Sequence, residues 1–119
     1  MHFISDDLED YVANHSQAEP ELLAKLNKET YQKIMQPRML SGHFQGRVLS
    51  MLSKIIRPKH ILEIGTYTGY AALCLAEGLM ENGTLDTIDI EEELVDFQRK
   101  YFDDSPWKDQ IFQHLGDAV

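Results

Sequence analysis

Hydrophobic positions change their spacing about halfway along the chain. Over residues 4–15, 21–35 and about 44–56, apolar side chains recur every three or four positions, as on one face of an α-helix. The stretch 36–46 contains a proline and two glycines and separates the second segment from the third. We therefore expect an N-terminal part, residues 1–57, made of three short helices and a loop that is long enough to touch a ligand.

The second part, residues 58–119, alternates between two patterns. Three segments have the short apolar pattern of strands: "HILEIG", "TLDTIDI" and "QIFQHLGDA". The two segments between them have a helical pattern: "TGYAALCLAEGLMENG" and "EEELVDFQRKYF". Strand, helix, strand, helix, strand is the first half of a Rossmann-like, doubly wound α/β sheet. We expect parallel strands with right-handed crossovers, helices on both faces and a first strand that is covered on both faces.

Composition indicates one soluble domain or part of one, because the chain has 119 residues and is 43% hydrophobic. No apolar run reaches the ~18 residues of a membrane span, and the N-terminus is acidic where a secretory signal would be basic. We therefore expect a cytoplasmic protein with no membrane partner. Cys74 is the only cysteine, which excludes an internal disulfide, and its place on the apolar face of a predicted helix favours a packing role.

The net charge of −9 is unevenly distributed. Residues 1–21 have six acids and no lysine or arginine, residues 22–60 have eight basic residues and one acid, and residues 61–119 have thirteen acids and three basic residues. The acidic total argues against general binding of nucleic acid. The basic middle segment has two interpretations, a surface for an anionic substrate or a solvated helical surface, and the second is favoured.

The stretch "ILEIGTYTGYAALCLA" joins the first predicted strand to the helix that follows it, and it contains Gly65 and Gly69. In a doubly wound sheet, ligands bind beyond the carboxyl ends of the strands, where this first turn passes closest to them. A glycine there lets the backbone approach a ligand without an intervening Cβ. The spacing differs from the G-x-G-x-x-G of a dinucleotide-binding turn, which weakens an NAD interpretation.

Three acids stand near the carboxyl ends of the three predicted strands: Glu63, Asp89 and Asp117. Asp89 ends the second strand about 20 residues after Gly69, where an acid can accept hydrogen bonds from both hydroxyls of a ribose. Neighbouring parallel strands end at one edge, so the three carboxylates are expected to converge. Such a site suits a nucleoside with a cationic or neutral tail better than a pyrophosphate.

Together these segments resemble the metal-dependent O-methyltransferases of the catechol and caffeoyl-CoA type, including their bacterial members. "LEIGTYTGYAALCLA" is similar to the family's S-adenosylmethionine turn, "LDTIDI" to its ribose strand, "HLGDA" to its adenine-edge turn and "MLSGHFQGRVLSML" to the segment leading into the sheet. The resemblance covers about residues 36–118. It implies S-adenosylmethionine-dependent methyl transfer to a hydroxyl of a small acceptor, with catechols, CoA esters and a tRNA base as open choices.

The resemblance also implies contacts to the cofactor, residue by residue. Glu63 and the backbone at Gly65 and Thr66 would lie against the methionine part, Asp89 would accept the ribose hydroxyls, and Ile90 would pack on the adenine. The other implied cofactor-binding residues are Met39, Tyr67, Gly69, Tyr70, Ala71, Asp117 and Ala118.

Each of these positions has a structural alternative. The two glycines can serve only the packing of strand and helix, Asp89 can cap the next helix, and Asp117 can stabilise a turn. The two tyrosines can belong to the core. The cofactor interpretation is favoured for the glycines and both acids, and the tyrosines are evenly balanced.

The family's metal ligands, a run resembling "IDADK" and a later Asp–Asn pair, belong to strands after the third. A divalent cation such as Mg²⁺ is therefore expected only in the full-length enzyme, and neither a catalytic residue nor a metal ligand is predicted in these 119 residues. The five histidines show no metal-binding spacing. For His43, on the loop facing the presumed site, a surface or packing role is favoured over catalysis.

Three hypotheses stay open for the chain as a whole. The first is the N-terminal part of an S-adenosylmethionine-dependent O-methyltransferase, inactive by itself. The second is an inactive cofactor-binding or dimerising half-domain, and the third is a different nucleotide-using α/β enzyme. The resemblance also implies a homodimer, for which Leu22, Leu23 and Leu26 are the predicted partner surface.

Overall fold

The computed structural model describes residues 4–36 and 39–119; residues 37 and 38 of the predicted ligand loop lie outside this range. The elements run in the order α1 (Asp6–Asn14), α2 (Glu21–Lys33), α3 (Gly42–Ile56), β1 (His60–Ile64), α4 (Tyr70–Ala76), β2 (Thr84–Asp89), a 3-10 turn (Glu92–Leu94), α5 (Val95–Asp103) and β3 (Ile111–Leu115). The described helices and strands therefore follow the predicted order. None of these helices is long and apolar enough to cross a membrane.

The three strands form one parallel sheet in the order β1-β2-β3. Glu63 of β1 is level with Thr87 of β2, and Thr87 is level with Gln113 of β3. Parallel neighbours need a crossover connection, which α4 and α5 provide here. The prediction of a Rossmann-like parallel sheet preceded by N-terminal helices is confirmed.

Helices cover one face of this sheet. Side chains alternate along each strand, so that Leu85 and Ile111 are buried beneath the helices, whereas Leu62, Ile64 and Phe112 on the opposite face are 65%, 69% and 47% exposed. Successive right-handed crossovers that advance in one direction place their helices on the same face. Within the described residues, the expectations of helices on both faces and of a first strand covered on both faces are therefore wrong.

Helix α4 ends at Ala76, seven residues before the predicted end at Gly83. Its last turn meets α3, where the Ser53 hydroxyl donates to the Leu75 carbonyl oxygen across 2.5 Å. The chain then passes so close to α3 that a Cβ on Gly78 would lie 2.2 Å from the backbone carbon of Ser53. This close contact with α3 sets the direction in which the chain leaves α4 towards β2. The helical pattern in the sequence gives no sign of the contact.

The core lies between the helices and the covered face of the sheet. Leu26 of α2, Leu73 of α4, and Tyr101 and Phe102 of α5 are almost completely buried there. Their burial contributes apolar area that stabilises the fold. Cys74 is buried in the same core, as predicted, and burial raises the pKa of its thiol to about 12.

The predicted partner surface belongs to this core. Leu23 and Leu26 are buried, and Leu22 packs against the same cluster. Leu23 and Leu26 are used within the chain to attach α2, which argues against a partner surface formed by them. The homodimer itself stays a prediction.

Candidate functional site

A cavity of about 690 Å³ opens beyond the carboxyl ends of β1 and β2. The loop after α2, the turn after β1 and the end of β2 form its walls. Its lining residues are Lys33, Ile34, Met35, Gln36, Met39, Gly65, Tyr67, Asp89, Ile90, Glu91, Glu93 and Leu94. Five of the predicted cofactor-binding residues are thus brought together here: Met39, Gly65, Tyr67, Asp89 and Ile90.

Backbone hydrogen bonds hold the strand ends at this cavity in register. The Gly65 N–H donates to the Ile88 carbonyl oxygen across 2.8 Å, and the Gly116 N–H donates to the Asp89 carbonyl oxygen across 2.9 Å. The rim of the sheet is thereby continuous from the turn after β1 to the turn after β3.

Gly65 presents its bare side to open space. A Cβ built on this residue would have no neighbour within 4 Å, and its φ of 93° is one that residues with a side chain rarely adopt. The turn can therefore bring its backbone directly against a ligand in the cavity, as expected for a cofactor turn.

Gly69 has a different environment, although its φ of 96° is similar. A Cβ on Gly69 would lie 2.7 Å from the ring of Phe102 on α5. Its bare side thus allows α5 to pack closely against the turn. A cofactor contact for Gly69 stays a prediction that this packing does not favour.

Tyr70 and Ala71 lie outside the cavity lining. Tyr70 is 2% exposed, its ring packs against Gly46 of α3, and its hydroxyl donates to the Glu19 carboxylate across 2.5 Å. Of the two interpretations offered for this tyrosine, the core one describes its surroundings. Ala71 is half-buried on the same turn of α4.

Asp89 is held at the cavity by two backbone N–H groups. Its Oδ2 accepts from Tyr67 across 2.7 Å, and its Oδ1 accepts from Glu91 across 3.0 Å. A carboxylate has about four acceptor positions, so both oxygens can still accept from a ligand hydroxyl. Its bond to the Glu91 N–H, two residues on, holds the turn before the 3-10 segment but does not cap a helix, because the N-cap residue there is Glu91 and has no side-chain cap hydrogen bond.

Tyr67 closes the cavity on the side of α2. Its φ of 51° is left-handed, and its hydroxyl donates to the carbonyl oxygens of Gln36 and Met35 at 2.8 and 3.2 Å. Its own carbonyl oxygen accepts a 2.6 Å hydrogen bond from the side chain of Gln98, which is 2% exposed. The sequence analysis missed Gln98, because a glutamine in an amphipathic helix carries no signal that separates a buried position from an exposed one.

Glu63 lies next to this cavity but is not part of its lining. Its Oε1 accepts from the Thr87 hydroxyl across 2.7 Å. Burial raises the pKa of Glu63 to about 7; the charge of Asp89 also raises it, and the Thr87 hydrogen bond opposes them. Thr87 is in turn 2.5 Å from the hydroxyl of Thr66, and both threonines are buried. The sequence analysis also missed Thr87. Its only signal in the sequence is that it is a polar residue within an apolar strand.

The three acids converge only in part. Glu63 and Asp89 are close enough for their charges to interact. Asp117 and Ala118 are exposed beyond β3 and do not line the cavity. The Oδ1 of Asp117 accepts from the Val119 N–H across 3.0 Å, which is the turn role considered as its alternative. Their contact with the adenine edge stays a prediction.

The described residues contain no group of three or more histidine, cysteine, aspartate or glutamate side chains that could hold a metal ion. His43 does not line the cavity: its Nε2 is 2.6 Å from the carbonyl oxygen of Gln17 in the α1–α2 connection. That contact attaches the start of α3 to the N-terminal segment, which agrees with the packing role favoured for it.

Comparisons with known proteins agree with this geometry. A family model described as O-methyltransferase matches residues 13–119. The chain is 40% identical over 91 residues to caffeoyl-CoA O-methyltransferase 1 of Zea mays, and 36% identical over 91 residues to the caffeoyl-CoA O-methyltransferase of Petroselinum crispum. Each match covers 75% of this chain but only 35% and 37% of the respective relative.

Solved structures show the same fold. The S-adenosylhomocysteine-bound methyltransferase PaMTH1 of Podospora anserina superposes with a TM-score of 0.87 at 25% identity, over 95% of this chain and 49% of that one. The O-methyltransferase of Bacillus cereus in complex with S-adenosylhomocysteine gives a TM-score of 0.86 at 26% identity, over 94% of this chain and 50% of that one. The chain thus spans about half the length of these solved structures. With a family model matching nearly its whole length, the chain belongs to the O-methyltransferase family.

Proposed function

We propose that this chain is the cofactor-binding part of an S-adenosylmethionine-dependent O-methyltransferase that acts on a hydroxyl of a small catechol-like or CoA-ester acceptor. One observation carries the proposal: the open side of Gly65 and the fixed carboxylate of Asp89 line the same cavity of about 690 Å³. A cavity of this size matches a nucleoside-sized ligand. The complexes of the Podospora and Bacillus proteins with S-adenosylhomocysteine support the choice of cofactor.

The cofactor is proposed to lie along the rim of the sheet. Its methionine part passes the bare backbone of Gly65, where no side chain intervenes. Its ribose hydroxyls donate to the free acceptor positions of Asp89. Its adenine packs on Ile90, which is 65% exposed at the cavity, and Met39 on the opposite wall is 62% exposed.

Bound S-adenosylmethionine supplies a methyl group on a sulfonium centre. The residues of this chain bind and orient it, and Tyr67 shields one side of the cavity from water through its hydrogen bonds to the loop after α2. The described residues do not fit a divalent cation, because they bring no set of ligands together. No step of the methyl transfer is therefore assigned, on this chain, to the divalent cation that the resemblance implies.

Isothermal titration of the chain with S-adenosylhomocysteine, and separately with NAD, tests the proposal. We expect one molecule of S-adenosylhomocysteine to bind per chain and NAD to give no heat of binding. Asp86→Asn is a matched control for variants of Asp89, because Asp86 lies in the same strand and contacts His114 on the uncovered face. Binding of NAD without S-adenosylhomocysteine would instead support the different nucleotide-using enzyme.

A second candidate is an inactive half-domain that associates with another polypeptide. The observation that favours it is the uncovered face of the sheet, where Leu62, Ile64 and Phe112 are exposed. Both candidates bind S-adenosylhomocysteine without activity of this chain alone, so the intact mass of the natural protein and the reading frame downstream of the gene separate them. A homodimer is proposed on the resemblance alone, and light scattering tests it. A cytoplasmic location is proposed on the composition of the sequence.

A further inference from the structure

Glu63 is a largely enclosed carboxyl group with no cation beside it among the residues that the structure describes. It lies directly opposite Thr87 in the parallel register, and the Thr87 hydroxyl is its hydrogen-bond partner. Within residues 4–36 and 39–119, no lysine, arginine or histidine forms an ion pair with it. An enclosed carboxylate without a counter-charge is costly, so such groups retain a proton or await a positive ligand.

The charges around Glu63 favour a positive ligand. Asp89, at the end of the neighbouring strand, is the charged group that acts on it, and it is also an acid. The other groups in contact with this pair are the hydroxyls of Thr87 and Thr66 and the backbone N–H groups of Tyr67 and Glu91. Lys33 also lines the cavity, but its ammonium group pairs with Glu29. The two carboxyl groups beside the cavity thus have no basic partner among the described residues, and they attract a cation.

A chain of hydroxyls connects Glu63 to the turn beside Gly65. Each threonine hydroxyl has one proton to donate. When Thr87 donates to an ionised Glu63, the 2.5 Å contact between Thr66 and Thr87 requires Thr66 to donate to Thr87. When Glu63 is protonated it can donate to Thr87, and the direction of the chain reverses. The protonation of Glu63 is therefore coupled to the orientation of a hydroxyl in the turn.

We propose that a cationic cofactor bound at the Gly65 turn displaces the proton from Glu63 to the solvent, so that cofactor affinity increases with pH through neutrality. The inference rests on the proposed function, since it requires the ammonium group of S-adenosylmethionine or S-adenosylhomocysteine near the turn. No bond other than the O–H bond of the carboxyl is broken: the carboxyl gives its proton to the buffer, and the ligand's charge replaces it. Glu63 thereby determines the charge of the ligand that the cavity accepts.

The test is titration calorimetry of the chain with S-adenosylhomocysteine at pH 6, 7 and 8, each in phosphate and in imidazole. These buffers differ in heat of ionisation, so the difference between them counts the protons released on binding. We expect proton release that is largest at pH 6 and falls towards zero at pH 8. The affinity should increase about tenfold over this range, the change that linkage gives for a carboxyl titrating near neutrality.

Two variants isolate the group. Glu63→Gln keeps the size of the side chain and removes its proton equilibrium, so its affinity should not change with pH beyond the titration of the ligand's own amine. Thr87→Val removes the hydrogen bond that favours the ionised form, so the increase in affinity should move to higher pH.

Each outcome has a definite meaning. Equal affinity at pH 6 and pH 8 with no buffer-dependent heat in the wild-type chain overturns this inference and leaves the proposed function intact. A pH dependence that persists in Glu63→Gln assigns the proton to another group and also overturns it. Failure of S-adenosylhomocysteine to bind at any pH overturns the proposed function, and this inference with it.

Discussion

The backbone N–H of Tyr67 donates a 2.7 Å hydrogen bond to the Oδ2 of Asp89 and so ties the turn after β1 to the end of β2. An acid at a strand end supports little core, so the sequence alone predicts a small contribution of Asp89 to folding. In the structure it accepts from two backbone N–H groups, one of them belonging to a residue with left-handed φ. Asp89 therefore stabilises the turn as well as facing the cavity.

Asp89→Ala should weaken binding of S-adenosylhomocysteine by at least tenfold and also lower the stability of the chain. Hydrogen bonds to charged groups typically contribute ~1.5–3 kcal/mol each, and both the ligand and the turn lose such bonds. Calorimetry measures the first effect and thermal unfolding the second, with Asp86→Asn as the control. Unchanged affinity would remove Asp89 from the cofactor site.

Gly65→Ala should weaken binding more than Gly69→Ala, and Gly69→Ala should lower stability more than Gly65→Ala. Their φ values of 93° and 96° are ones that residues with a side chain rarely adopt, so both substitutions strain the backbone, and the surroundings of the added methyl differ between the two sites. At Gly65 it enters open space at the cavity, and binding should be lost. At Gly69 it lies 2.7 Å from Phe102, and overpacking of this kind costs ~1–3 kcal/mol beyond the strain.

Calorimetry and urea unfolding on both variants give the readout. Gly65→Ala should be the more stable of the two and the weaker binder. If Gly65→Ala retains wild-type affinity, the turn does not carry the cofactor at this point, and the main observation behind the proposed function fails.

Glu29 connects α2 to α5, and its replacement should destabilise the chain in a pH-dependent way. Hydrogen bonds from Lys100 and Tyr101 lower the pKa of Glu29 to about 2. Because the folded pKa is below the ordinary value, the ionised form stabilises the fold above about pH 4.5, and this contribution is lost as the pH falls towards 2. Glu29→Gln should thus cost about 1–2 kcal/mol at pH 7, allowing for the half-exposed Lys100.

Urea unfolding at pH 7 and pH 2.5 measures this difference. Asp109→Asn, which changes an exposed acid on the connection before β3, is the control and should have little effect at either pH. A Glu29→Gln penalty of equal size at both pH values would show that the side chain acts by packing and not by charge.

Glu63→Gln should stabilise the ligand-free chain at high pH. The pKa of Glu63 in the folded chain, about 7, lies above the ordinary carboxyl value, so the fold binds a proton that the unfolded chain releases. Stability from this group is complete below about pH 4.5 and is lost as the pH rises through 7. At pH 8 the variant should exceed the wild type by about 1–3 kcal/mol, whereas at pH 5 the difference should be small. Urea unfolding at these two pH values checks the sign; a variant less stable at pH 8 would contradict it.

The sequence predicted the parallel strands and their order of helices because each strand is a compact apolar run bounded by turn residues. It could not separate Gly65 from Gly69, since two glycines in one turn give the same pattern whether the bare side meets a ligand or Phe102. The end of α4 was likewise hidden, because contact with Ser53 of α3 determines it.

The uncovered face of the sheet shows a different kind of limit. Leu62, Ile64 and Phe112 make the strand patterns apolar on both faces, so the sequence correctly indicates that both faces are suited to burial. What would cover the second face is not among the described residues. The apolar pattern shows that the second face of the sheet is suited to burial, and it does not show which segment covers that face.

The order of the strands in the sheet is also their order along the chain, and this has a consequence for biosynthesis. Each strand reaches its partner through a single connection of roughly 20 residues, so the loop-closure entropy of each pairing is that of a short segment. The contacts of Gly65 with Ile88 and of Tyr67 with Asp89 need only β1, α4 and β2. The rim that faces the cavity can therefore assemble on the ribosome before β3 is synthesised, and a ligand bound there would stabilise the nascent domain by mass action.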